Sequence, residues 1–148
     1  MRVLAIDPGA KTGVAIFNAE TLKLEDSAII EGGLKGIQEY FDLGDPLYDV
    51  LVVESFEQEE GTHGLDLTPV EIIGWLKGLD IPIHWQRRNQ RGKSKLTSVP
   101  VLKKAGLYPK RGELKEGHQV AALQHALAYL IKIRHRPTIE LLHPKEES

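Results

Sequence analysis

The sequence contains no cysteine, which excludes disulfide scaffolds, thiolate-held zinc and thiol catalysis. It also lacks an apolar run near the ~18 residues that a membrane-crossing helix needs. Its opening, Met1-Arg2-Val3-Leu4-Ala5-Ile6-Asp7, does not follow the layout of a signal peptide, because the apolar run is short and ends on an acid. The expectation is a soluble domain working inside a cell. One stretch lacks acid altogether. Between Gln86 and Gly112 stand nine basic residues (Arg87, Arg88, Arg91, Lys93, Lys95, Lys103, Lys104, Lys110, Arg111) and neither Asp nor Glu. The remaining ten basic residues face all 21 acidic ones, so a net charge of −2 hides a balance of −11 outside this segment. A charge run of this kind is ordinarily a solvated loop. Beside a catalytic site it becomes a local footprint for phosphate.

What is present suffices for one folded unit. The chain has 148 residues, 41% of them hydrophobic and 27% charged, within the usual ~100–200 residues of a single domain. Residues 2–7 form a β-branched and apolar run stopped by Pro8-Gly9, which predicts a buried strand and a turn. Residues 13–17 and 22–30 predict two more strands, and their short links favour an antiparallel meander. Apolar spacing predicts a helix over 34–41. The run Asp49-Val50-Leu51-Val52-Val53 is the most strand-like in the chain and predicts a central strand. Thr68-Pro69-Val70-Glu71 has the form of a helix start, with Thr68 as N-cap, and that helix is expected to end at Gly78. A strand over 81–85, a short helix over 98–105 and a long helix over 116–134 complete the order. The long helix carries Val120, Leu123, Leu127, Leu130 and Ile131 as its buried stripe. From Pro137 onward a short, charged, loose tail is expected.

A strand–helix–strand unit implies parallel pairing, so the fourth strand should run parallel to the first. Sites in such sheets lie at the carboxyl ends of parallel strands. Asp7 and Glu54 both stand at such ends. One acid there is ordinarily only a solvated boundary. Two on adjacent strands repel each other, and a divalent cation is the usual remedy. Carboxylate oxygens are hard donors that suit Mg²⁺ or Mn²⁺.

Three motifs in order resemble one family. Ile6-Asp7-Pro8-Gly9-Ala10-Lys11-Thr12-Gly13-Val14-Ala15 is similar to the first-strand signature of RuvC-type Holliday-junction resolvases. Val52-Val53-Glu54-Ser55-Phe56 resembles their second catalytic strand. Gly117-His118-Gln119-Val120-Ala121-Ala122-Leu123-Gln124-His125-Ala126-Leu127 resembles the phage form of their final helix, whose pattern is His, two residues, Asp-Ala, two residues, His. The likeness spans roughly residues 1–134. It implies an α/β, RNase H-like fold: a five-stranded mixed sheet, its first three strands antiparallel, flanked by helices. The nuclease domain would occupy 1–135 and the tail 136–148.

The resemblance also implies an activity, metal-dependent hydrolysis of phosphodiester bonds in branched DNA. Two Mg²⁺ or Mn²⁺ ions ~4 Å apart would activate a water and steady the leaving 3′ oxygen. By position Asp7 would bridge them, Glu54 would bind one, and His118 would be a ligand or proton carrier. One departure stands out. Ala121 occupies the place of the family's last carboxylate, although 118, 121 and 125 share a helix face. Either a ligand has been removed from an active parent, or the natural chain cuts weakly. His125 is a further candidate, with a neighbour's hydrogen bond as its plainer role. His63, His84, His135 and His143 have no such context.

Arg87, Arg88, Arg91, Lys93 and Lys95 follow the fifth strand and would grip phosphates without reading sequence. Phe56 is a candidate for an aromatic near the junction centre, or for packing beneath its own loop, whose Glu57, Glu59 and Glu60 would repel a phosphate backbone. Cutting two opposed strands suggests a two-fold homodimer. The helix over 68–77, with Val70, Ile73, Trp75 and Leu76, is a candidate interface or ordinary core. The expected partner is four-way DNA, with no membrane, in the cytoplasm (of a bacterial host if the chain is phage-encoded). Competing readings are a ribosomal-RNA-processing or flap nuclease of the same fold, and a branched-DNA-binding protein that does not cut. An actin-like ATPase, whose first hairpin looks similar, would need two such domains.

Overall fold

Residues 3–6 and 51–53 carry apolar side chains at every position, the composition of strands covered on both faces. Both segments occupy the middle of the sheet. The computed structural model describes residues 1–42, 48–55, 67–87, 96–108 and 117–144. Within them lie β1 (Arg2–Asp7), β2 (Lys11–Asn18), β3 (Lys23–Glu31), α1 (Gly33–Asp42), β4 (Val50–Ser55), α2 (Thr68–Lys77), β5 (Ile83–Arg87), α3 (Val99–Lys104), α4 (Gly117–Lys132) and α5 (Arg136–Leu142). The sheet runs in the order β3-β2-β1-β4-β5. β1–β2 and β2–β3 are antiparallel, and β1–β4 and β4–β5 are parallel. The α/β mixed sheet expected from the sequence is the one formed. No helix among the described residues is long and apolar enough to cross a membrane.

Side chains on a strand alternate between faces, and the two faces have separate cores. Val3, Ala5, Ala15, Phe17 and Val52 meet Leu123, Leu127 and Leu130 of α4 and Leu102 of α3. Leu4, Ile6, Val14, Leu51 and Val53 meet Ile37 of α1 and Ile72 and Leu76 of α2. Each leucine-sized side chain so buried contributes about 1.5–3 kcal/mol. The result is a sheet held between one helical layer dominated by α4 and another made of α1 and α2.

Glycine decides how closely α4 lies on the sheet. A Cβ on Gly13 of β2 would stand 2.0 Å from the carbonyl oxygen of His118, at the start of α4. Only a residue without a side chain lets the helix backbone touch the strand there.

Several details depart from the sequence reading. β4 starts one residue later than expected and runs on through Glu54 to Ser55, because its pairing with β5 extends the ladder to Ser55. Asp49 stays outside the strand, tied to Arg2 through its backbone and through its carboxylate, which accepts from Arg2 N at 2.7 Å. Thr68 opens α2, and Leu67 stands at the N-cap with helical dihedrals. Leu76 is fully buried in the core and unavailable as an interface residue, whereas Val70 is 45% exposed. The tail is ordered where described. Pro137 initiates α5 instead of breaking it, His135 accepts from Thr138 N as its cap, and Leu142 is buried in the α4-side core.

Gly13→Ala is expected to cost roughly 3 kcal/mol, the upper part of the overpacking range, because backbone rather than a flexible side chain blocks the methyl. In a chain of this size that corresponds to a fall in Tm of roughly 6–12 °C, measurable by thermal unfolding.

Candidate functional site

Asp7 is the last residue of β1 and pairs across the sheet with Gly13. The chain then turns through Pro8-Gly9, and the Thr12 hydroxyl closes that turn by donating to the Gly9 carbonyl at 3.0 Å. On the other side, β1 and β4 pair Ile6 with Val53. The next residues, Asp7 and Glu54, therefore stand side by side at the carboxyl ends of two parallel strands. Both follow the parity of Val3, Ala5 and Val52, so both sit on the α4 face. They are 4% and 8% exposed. β5 continues the row, pairing Gln86 with Glu54, while the Ser55 hydroxyl donates to the Gln86 carbonyl at 3.1 Å.

α4 crosses this row and lays one imidazole on each acid. His118 Nδ1 is 3.1 Å from Asp7 Oδ2. Two helical turns later, His125 Nε2 is 3.6 Å from Glu54 Oε1, and His125 Nδ1 is 2.5 Å from Gln86 Oε1. The two histidines differ in surroundings. The His118 side chain is 41% exposed at the rim, and that of His125 is wholly buried. Ala121 lies between them on the same helix face, buried, yet a member of neither hydrophobic cluster.

Four of the residues singled out in the sequence, Asp7, Glu54, His118 and His125, thus come together in two acid–imidazole pairs. Among the described residues no group of three or more His, Asp or Glu side chains gathers closely enough to hold an ion. The donors present are hard oxygens and imidazole nitrogens, which fit a divalent cation in type. At position 121 the same helix face carries only the buried methyl group of Ala121. Gln86 was missed by sequence reasoning, because only the β4–β5 register aligns it with Glu54; its place beside a basic run was no signal of its role.

The structure describes one residue of the expected phosphate grip. Arg87 is exposed at the end of β5, but by strand alternation it projects to the face opposite Gln86 and Glu54. Arg88, Arg91, Lys93, Lys95 and Phe56 lie outside the described residues. The far end of the basic segment is anchored beside the site. Gln124, next to His125, donates to the Thr97 carbonyl at 2.9 Å, and His143 Nε2 donates to the Leu96 carbonyl at 3.1 Å.

With the geometry in place, likenesses to solved structures acquire a meaning. The chain has the fold of the RuvC-like junction resolvases. Thermus thermophilus RuvC in complex with a Holliday-junction substrate superimposes with a TM-score of 0.61 at 16% identity, over 91% of this chain and 98% of that one. The fowlpox virus Holliday-junction resolvase gives 0.60 at 17% identity, over 89% and 99%. Its complex with junction DNA gives 0.56 at 16%, over 88% and 99%. No family model matches the chain, and no curated protein matches it. Identities this low establish the fold and leave function to the residues of the site.

The two histidines should carry different structural weight. His118→Ala is expected to stay within about 0.5 kcal/mol of the parent, as ordinary surface changes do. His125→Ala leaves a cavity and a buried Gln86 amide without its partner, and is expected to cost roughly 2–4 kcal/mol. Urea denaturation compares them directly.

Proposed function

We propose that this chain is a structure-selective endonuclease that hydrolyses phosphodiester bonds in branched DNA, four-way junctions foremost, with a divalent cation, Mg²⁺ or Mn²⁺, held by Asp7 and Glu54. The observation that carries this reading is the register of β1 and β4, which sets two buried carboxylates side by side under α4. The likeness to structures described as complexes with Holliday-junction DNA supports the choice of substrate. A bound divalent cation supplies polarisation of the phosphoryl oxygen and a lowered pKa for its water. The protein's own part is to hold the acids at fixed spacing, to set an imidazole beside each, and to offer His118 at the rim, where a proton can pass between solvent and the reacting oxygen.

The basic segment leaves the sheet at Arg87 and returns at Thr97, pinned to α4 beside His125. On this reading the basic residues Arg88, Arg91, Lys93 and Lys95 would grip the phosphates of a DNA strand at the site. Such contacts fix position and shape rather than sequence. Two incisions on opposed strands call for a two-fold dimer, and the exposed Leu67 and Val70 at the start of α2 are candidates for that contact.

A second reading draws on Ala121. With a methyl group at the place of a carboxylate, the protein would bind branched DNA and cut it slowly or not at all. Cleavage measured alongside metal binding separates the two, and four-way, three-way and flap substrates in parallel separate a junction resolvase from a flap nuclease or an RNA-processing enzyme of the same fold.

Asp7→Asn and Glu54→Gln are expected to abolish cleavage of four-way junctions while leaving junction binding in place; cleavage that survives both would move the active centre elsewhere. Ala121→Asp is expected to raise Mg²⁺-dependent cleavage by orders of magnitude, and an unchanged rate would show that α4 is not part of the site. Neutralising Arg87, Arg88 and Arg91 together is expected to weaken junction binding and flatten its salt dependence, the log–log slope falling by about 0.9 for each phosphate the protein no longer neutralises. A parent-like slope would place the DNA on another surface.

A further inference from the structure

We propose that His84 is a pH-sensitive latch on the edge strand β5: its neutral imidazole holds β5 against α4, and protonation in mild acid loosens β5 while the rest of the sheet stays folded. The inference stands apart from the reaction proposed above and holds whatever the substrate.

β5 ends the sheet order β3-β2-β1-β4-β5, so its one hydrogen-bonded neighbour is β4. A strand at the margin of a sheet opens at less cost than the strands inside it. Side chains supply the rest of its attachment. Ile83 and Trp85 join the core under α1 and α2, and by strand alternation His84 and Gln86 take the opposite face. There Gln86 meets His125 of α4. The His84 ring meets Tyr129 of the same helix edge to face, with centroids 4.9 Å apart. Across the ladder His84 pairs with Val52, a member of the α4-side core.

These surroundings suit a neutral ring and oppose a charged one. His84 Nε2 is buried and has no hydrogen-bond partner among the described residues. The neutral ring can carry its proton on either nitrogen, and the argument is the same for both tautomers. In the imidazolium both nitrogens carry protons, so a charged N–H is sealed in without an acceptor, which costs more than a neutral orphan. The neighbouring groups do not offset this. α4 brings the Tyr129 ring and the Lys132 ammonium, and β4 brings the apolar Val52. Gln86, His125 and Glu54 follow farther along the same face, and among the described residues no acid forms an ion pair with His84. Burial first, and Lys132 second, hold this imidazole below its ordinary pKa. A histidine of that kind contributes its full stability above the ordinary value of ~6.5 and loses it as the pH falls below. In the opened strand the ring is hydrated and takes up its proton freely, so acid favours the open form.

Amide hydrogen exchange on the full chain tests this, with rates corrected for the intrinsic pH dependence of exchange. It compares β5 with β1 and β2 at about pH 7.5 and about pH 5.5, on either side of the imidazole pKa. Opening of β5 is expected to rise several-fold at the lower pH, with β1 and β2 unchanged. His84→Phe keeps an aromatic ring against Tyr129 and cannot titrate, so the acid-induced opening of β5 should vanish in it. Titration of the His84 ring in the unsubstituted chain, followed by NMR, needs no variant to fold and should show a midpoint below ~6.5. A midpoint at or above that value overturns the proposal. So does an opening of β5 that ignores pH, one shared equally by β1 and β2, or one that persists in His84→Phe.

Discussion

Two carboxyl groups buried next to each other set the terms for this molecule. Asp7 and Glu54 are side by side because β1 and β4 pair in parallel with Ile6 opposite Val53. A slip of one residue would send Glu54 to the other face of the sheet, among Leu51 and Val53. The register is fixed by packing on both faces at once, since Val3, Ala5 and Val52 must reach α4 while Leu4, Ile6, Leu51 and Val53 must reach α1 and α2. The apolar core thus sets where the two acids stand.

α4 is the second half of that arrangement. Its approach to the sheet depends on Gly13, whose missing side chain admits the His118 backbone. Once seated, the helix meets β1 and β4 at points two turns apart, and each point carries an imidazole. The exposed histidine sits at the rim, within reach of solvent. The buried one is locked by Gln86 and belongs to the interior. One helix, through the ordinary periodicity of its face, supplies both a rim group and a fixed inner group to neighbouring strands.

Fold and site carry different information here. The architecture is shared with RuvC and a poxvirus resolvase at 16–17% identity, because many apolar sequences fill the same two cores. A site is specified by few positions, and an exchange there can leave the packing untouched. Ala121 keeps the helix packed, as alanine does in any buried face. This is the reason the likeness to solved resolvases bears on the protein's architecture and leaves its function to the residues of the site.

Much of this was legible in the chain itself. The unbroken apolar runs at 3–6 and 51–53 marked the central strands, Pro8-Gly9 marked the turn after Asp7, and the strand–helix–strand order required β4 to lie parallel to β1. Those are local signals, or topological ones that follow from handedness, and they sufficed to nominate Asp7 and Glu54; His118 came from the resemblance of the last long helix to the family's final helix. Other features were not local. Gln86 has no motif and acquires its role only through the β4–β5 register. His125 was a further candidate in the sequence, and only the seating of α4 on the sheet showed that its neighbours are Gln86 and Glu54. From Pro137 onward the sequence read as a loose tail, and only the docking of Leu142 into the core showed that a helix runs there. Sequence by itself determined which residues could carry charge and which segments had to be buried. Tertiary structure decided which of those charges meet, because the pairing of distant strands is set by how two cores pack together, a sum over contacts that no short stretch of chain contains.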